Sequence, residues 1–146
     1  MAHVPAWGRQ AGGHCWRTTP DIFDSFGLPT SGVRDIARHN MTLDRFARPG
    51  AWNDPDMLLI GNRGNGLSTS HLRPLLALGK ERPAQRFKGL SDVEAVTHLT
   101  MWSMMASPLL ASHDPTTVSD FDLNLLRNPE IVAINQDPLG VQARRA

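Results

Sequence analysis

Short β-prone segments alternate with helical signatures along these 146 residues, and carboxylates gather just after the β-prone segments. "HCWRTTPDI" (14–22) is rich in β-branched and aromatic residues and then meets Pro20 and Asp21, so it reads as a strand running into a loop. "SGVRDIARHNMTLDRFA" (31–47) places Val33, Ile36, Ala37 and Met41 at helical spacing. Ser91 and Glu94 form a capping-box pattern that opens a helix over about 91–106, before Pro108. Val93, Val96, Leu99, Thr100, Trp102 and Met105 run behind it. "PLLASHD" (108–114) reads as a short buried strand, and Ser119 with Asp122 opens a further helix through Leu126. "EIVAINQDPLG" (130–140) adds an apolar stretch and a turn at Pro138 and Gly140. Residues 1–13 and the Gly-, Pro-, Arg- and Ser-rich residues 61–90 read as loop. Strand–helix repetition of this kind predicts an α/β fold with parallel strands.

Closed α/β barrels place their active sites at the C-terminal ends of the strands. Asp21, Asp54, Asp56 and Asp114 fall at such ends on this reading. A complete barrel takes roughly 250 residues, so this chain has room for about three strand–helix units.

Composition narrows the function classes. The formal charge of +1 gives no electrostatic case for nucleic acid or an anionic membrane. Its charges are interspersed, apart from Arg144 and Arg145. The longest apolar runs fall well below the roughly 20 residues of a membrane span. The opening "MAHVPAWGRQAGG" lacks the apolar core of a signal peptide. Cys15 is the only cysteine, which excludes an internal disulfide and leaves the compartment open. The histidines, His3, His14, His39, His71, His98 and His113, show no metal-ligand spacing. "GNRGNG" lacks the lysine and following helix of a phosphate loop. Trp102, Met104 and Met105 read as core, and His98 as packed or partly exposed.

Two constellations remain. Arg17 and Asp21 stand four apart at a strand-to-loop junction. An arginine fork can hold a sugar hydroxyl or orient a carboxylate, and a carboxylic acid beside it can protonate a leaving group if its pKa is kept high. A surface ion pair and a turn-forming aspartate explain the same spacing. In "WNDPDM", Asn53 and Asp54 precede Pro55 and fit a turn. Asp56 stands beyond the proline, beside Met57 and near Trp52. A carboxylate against an apolar or aromatic wall suits a sugar. A purely structural role for Asp56 stays open at this point.

Taken in order, "WGRQAGGHCWRTTPDI", "PGAWNDPDMLLIGN", "THLTMWSMMASPLLASHD" and "NPEIVAINQDPLGVQ" resemble the melibiase or α-galactosidase family, glycoside hydrolase family 27. The resemblance runs from about residue 4 to 142 and is weakest over 68–90. It implies a (β/α)8 TIM barrel, of which this chain covers about strands 6–8 with their helices. Residues 1–142 are then the C-terminal part of that barrel, and 143–146 a tail or linker. It implies retaining hydrolysis of terminal α-galactosides. That chemistry uses two carboxylates about 5–5.5 Å apart, one a nucleophile and one a general acid/base.

Carried over residue by residue, the resemblance makes Asp21 the general acid/base, after the sixth strand. Arg17 contacts the sugar hydroxyls and the nearby carboxylate. Asp56, after the seventh strand, hydrogen-bonds the galactose, Met57 lines the same pocket, and Asp54 shapes the loop. The seventh strand lies at or just before Trp52, which makes "MLLI" loop and packing. The nucleophile belongs to the fourth strand and is absent from this chain. The family implies no metal and no cofactor. Its members differ in taking galactose, N-acetylgalactosamine or β-L-arabinopyranose, and they are often secreted, which assigns this chain no localisation. Three readings follow: a piece of an α-galactosidase, a stand-alone sugar-binding remnant without catalysis, or half of a split barrel that partners a separate N-terminal half.

Overall fold

β1 (Cys15–Arg17) and β2 (Trp52–Asp54) pair in parallel, with Cys15 opposite Trp52, Trp16 opposite Asn53 and Arg17 opposite Asp54. The structure, a computed structural model, describes residues 4–64 and 88–144. Parallel strands need a crossover. Here it is α2 (Val33–Asn40) followed by a 3₁₀ helix (Met41–Phe46). α1 (Val4–Trp7) precedes β1, and α3 (Asp92–Met104), α4 (Asp120–Leu126) and α5 (Pro129–Asn135) follow β2. The architecture is thus a partial α/β piece built on one small parallel sheet.

Local sequence explains the helices. Ser91 caps α3 by accepting from the Glu94 N–H at 3.4 Å, while Glu94 accepts from the Ser91 N–H at 2.9 Å. Ser119 caps α4 through the Asp122 N–H at 3.1 Å. Asn128 caps α5, with Pro129 at its first position. α2 turns Val33, Ile36, Ala37 and Asn40 inward. α3 buries Ala95, His98, Leu99, Trp102 and Ser103. That face packs with Ile22, Ile36, Leu58 and Ile60 into one core.

Four expectations change. Residues 4–7 form a helical turn rather than loop, and Pro5 in its first turn is compatible with that. Residues 108–114 form no strand. Their one ladder contact is a parallel bridge from Ala111 to Leu58, and Leu110 is 55% exposed. The chain turns away there, because Ser112 donates to the Leu58 carbonyl at 2.6 Å and Asp114 accepts from the Thr116 N–H at 2.8 Å. Asp114 therefore ends a turn rather than a strand. Met104 is exposed, as are Val93 and Val96, since α3 is apolar around more than one face and only the His98–Trp102 side meets the core.

"MLLI" is packing, as expected: Leu58, Leu59 and Ile60 are all buried. Of the expected loop 61–90, residues 65–87 lie outside the described residues, as do His3, His71 and Arg145. No helix among the described residues is long and apolar enough to cross a membrane.

Candidate active site

The ends of β1 and β2 are zipped together beyond their ladder. The Thr18 N–H donates to the Asp54 carbonyl at 2.9 Å, and the Thr19 hydroxyl donates to the Pro55 carbonyl at 2.8 Å. Thr18 and Thr19 are buried, so these bonds form out of water's reach. They carry the loop after β1, with Asp21, alongside the loop after β2, with Asp56.

Arg17 joins the two loops. Its Nη2 lies 2.8 Å from Asp56 Oδ2 and 3.2 Å from Asp21 Oδ1, and it donates to the Thr19 carbonyl at 3.2 Å. The two carboxylates differ sharply in setting. The Asp21 side chain is 81% exposed and that of Asp56 only 10%. Asp56 Oδ2 also accepts from the Ile22 N–H at 2.8 Å, and Oδ1 accepts from the Met57 N–H at 2.8 Å. A carboxylate oxygen offers two lone-pair sites. Among the described residues each oxygen accepts one backbone hydrogen bond, and Oδ2 also faces the Arg17 charge.

The backbone at Asp56 is unusual, with φ at +95°. A non-glycine residue there stores on the order of 1–3 kcal/mol of strain and persists only where its surroundings fix it. Asp54 fixes one side, its Oδ1 accepting from the Asp56 N–H at 2.9 Å. This is the loop-shaping part expected of Asp54. Burial pushes the Asp54 carboxyl up, the Asp56 N–H and Arg17 pull it down, and the Asp56 charge pushes it up again, with a net rise. Trp102 fixes the other side, donating from Nε1 to the Asp56 carbonyl at 2.7 Å.

The structure thus brings Arg17, Asp21 and Asp56 together, with Met57 half-buried beside them against the core. Asp114 keeps its hydrogen bonds within its own turn. His98 is fully buried on α3. Trp102 is the contact that sequence reasoning assigned to the core alone. Its indole N–H needs a partner when buried, and that need was the available signal. Among the described residues no three His, Cys, Asp or Glu side chains are grouped to hold a metal.

The arrangement pairs an exposed carboxylate with a buried one that backbone N–H groups hold in place. Both are tied to one cation. Polar hydroxyl-bearing ligands suit such a site.

Comparison with known proteins gives the same direction. A family model, Melibiase_2, described as alpha galactosidase A, matches residues 9–80 and 85–137. The α-N-acetylgalactosaminidase of Mus musculus is 38% identical over 130 residues, covering 89% of this chain and 25% of that protein. α-Galactosidase 3 of Arabidopsis thaliana is 36% identical over 139 residues, covering 95% of this chain and 25% of that protein. A solved Bacteroides fragilis structure assigned as an α-galactosidase/melibiase superposes with a TM-score of 0.79 at 36% identity, over 97% of this chain and 28% of that one. The chain spans about a quarter of the length of the curated relatives it matches.

Proposed function

We propose a function from one premise: this chain belongs to the Melibiase_2, alpha galactosidase A, family of glycoside hydrolases. It forms part of an α-galactosidase-type site that hydrolyses terminal α-galactosides with retention. In this reading β1 and β2 are the sixth and seventh strands of a (β/α)8 barrel and the eighth lies near Ala111, which the parallel Leu58–Ala111 bridge supports. Residues 1–142 are the barrel part and 143–146 a tail or linker. The α-galactoside is the ligand, and the rest of the barrel is the partner.

The observation that carries this reading is the sharing of Arg17 between Asp21 and Asp56. Asp21, exposed, protonates the glycosidic oxygen as its bond to the anomeric carbon breaks. A nucleophilic carboxylate bonds to that carbon at the same time. Asp21 then takes a proton from the water that releases the sugar. Arg17 holds Asp21 and a sugar hydroxyl. Asp56 accepts a hydroxyl of the sugar, and Met57 supplies an apolar wall.

Asp56 is not the nucleophile. In this reading the nucleophile belongs to the fourth strand, whereas Asp56 follows β2, read as the seventh, and is fixed by the Ile22 and Met57 N–H groups to hold a hydroxyl. The nucleophile comes from outside these residues, as the family's fourth-strand aspartate implies.

The test is the chain within its complete reading frame, read from the DNA upstream of the Met1 codon and assayed on 4-nitrophenyl α-D-galactoside. The proposal expects turnover that Arg17→Ala abolishes and that Asp21→Asn lowers, less steeply than on a substrate with a poor leaving group. Binding of the sugar without turnover supports the remnant reading instead. Turnover only on adding a separately encoded partner supports the split barrel.

A further inference from the structure

α3 reaches the candidate site through two side chains one turn apart, both bonded to the backbone of the Asp56 loop. Trp102 Nε1 donates to the Asp56 carbonyl at 2.7 Å. His98 Nε2 accepts from the Leu59 N–H at 3.1 Å. Residues four apart on a helix stack on one face, so a single face of α3 holds both ends of the segment 56–59. The two rings also touch each other, edge to face, with centroids 4.1 Å apart and planes at 86°. Both side chains are wholly buried, so water does not compete for these bonds.

The peptide planes on either side of Asp56 set its φ and ψ. Asp54 holds the plane before it and Trp102 the plane after it. Loss of either lets the residue relax from +95° toward the negative φ that aspartate prefers. The carboxylate is built on that backbone, so relaxation turns Oδ2 away from Arg17.

We propose that Trp102, oriented by His98, is a positioning residue for Asp56: it locks the left-handed backbone that aims the carboxylate at Arg17. This rests on the reading of Asp56 as the sugar-holding carboxylate for its functional meaning, though not for its geometry. Neither side chain touches the sugar. α3 therefore controls the site from the core, and its sequence is tied to recognition as well as to packing.

The test uses the full chain and NMR of the Arg17 guanidinium protons, whose exchange with water is slowed while the ion pair with Asp56 holds. Trp102→Phe keeps a ring and removes the N–H. The proposal expects exchange to quicken by about tenfold, the scale of one lost hydrogen bond. Leu99→Ala is the control, because it opens a cavity on the same buried face of α3 with a side chain that has no polar atom. It should leave the Arg17 signals unchanged despite a comparable stability loss. Unchanged exchange in Trp102→Phe overturns the proposal, and so does equal quickening in Leu99→Ala.

Should Trp102→Phe fail to fold, His98→Leu and His98→Gln decide. Leucine should quicken exchange, whereas glutamine, which keeps an acceptor for the Leu59 N–H, should restore it. Equal exchange in the two overturns the proposal. None of these readouts needs a sugar. The sugar reading is judged separately, by the affinity of Asp56→Asn for methyl α-D-galactopyranoside in the complete reading frame. If that affinity is unchanged, the sugar reading fails and the positioning result still stands.

Discussion

Arg17 and Asp56 meet at 2.8 Å although 39 positions of chain separate their numbers, one ending β1 and the other two residues past β2. The parallel register makes this possible. It sets Arg17 abreast of Asp54, and the positive φ at Asp56 folds the next carboxylate back toward the guanidinium. The same nitrogen reaches Asp21 at 3.2 Å. A site is therefore assembled by backbone pairing first and by charge second.

Arg17→Ala leaves Asp56 buried without its cation. Arg17 is itself a third exposed, so the loss is moderated by water: about 1–3 kcal/mol, the range for leaving a buried polar group without its partner. All three contacts run to the one nitrogen Nη2, and lysine's more strongly hydrated ammonium on a flexible stem meets Asp21, Asp56 and the Thr19 carbonyl at a higher cost in desolvation and side-chain freedom. Arg17→Lys should recover less than half of that loss. Urea unfolding midpoints of the three proteins check this, and full recovery by lysine would contradict it.

Gly61 follows the buried "MLLI" segment with φ at +90°, and a Cβ there would stand 2.9 Å from His113 Cβ and 3.0 Å from His113 Cγ. Gly61→Ala therefore adds both a backbone penalty and a clash, about 2–4 kcal/mol together. Thermal unfolding should show the drop. A loss below ~1 kcal/mol would mean that the 112–114 turn gives way easily.

His98 gives the fold an acid-sensitive arm. Burial holds its pKa down at about 3, against an ordinary 6.5. The folded chain keeps it neutral, while the unfolded chain takes up a proton below pH 6.5. Stability therefore falls as pH drops from 6.5 toward 3, by at most about 1.4 kcal/mol per pH unit. Asp54, raised by burial, acts in the opposite sense above pH 3.8, where its ionisation costs the folded state. His98→Gln keeps an acceptor and removes the titration, so the difference between parent and variant isolates the histidine. The slope of stability against pH between 6.5 and 5 should flatten in the variant; identical slopes would refute the assignment.

The chain alone should not hydrolyse α-galactosides. Retention needs a second carboxylate as nucleophile, which the proposed reading places on a fourth strand and not on Asp56. Release of 4-nitrophenol from the aryl galactoside by the isolated chain, lowered in Asp21→Asn, would sink this expectation.

Much of the local structure was legible in the sequence. The caps at Ser91 and Ser119 follow from local chemistry, and the structure has them, while β1 ends at Arg17, short of the Pro20 that the sequence suggested. β2 was less so. Asn53 and Asp54 are poor strand formers, and only the family resemblance placed a strand there. The sheet tolerates Asn53 because its side chain is fully satisfied: Oδ1 accepts from Trp16 Nε1 at 3.0 Å, and Nδ2 donates to the Leu43 carbonyl at 2.8 Å. Tertiary bonding overrides propensity at that point. The strand expected at 108–114 shows the reverse, since apolar residues there meet no partner strand beyond Ala111.

The site was legible in its residue types and not in its geometry. Arg17 with Asp21 could be paired by spacing, but no spacing joins Arg17 to Asp56. The left-handed backbone at Asp56 is not a property of aspartate and has no local signature. Its cause lies in Asp54 and in Trp102, which is 46 residues further along the chain. Trp102 and His98 carried the i, i+4 spacing of a shared face, which core packing explains equally well from sequence alone.

The most direct measurement concerns Asp21. In the complete reading frame, kcat/KM for Asp21→Ala is compared with the parent on two α-galactosides, one with an unactivated alkyl leaving group and one with 2,4-dinitrophenol. Proton donation matters only where the leaving group is poor, and general acid catalysis of this kind contributes about 10²–10⁴-fold. The account predicts a loss of that order on the alkyl galactoside and a much smaller one on the dinitrophenyl substrate. Equal losses on both would contradict the acid role of Asp21 and, with it, the proposed division of labour between the two carboxylates on Arg17.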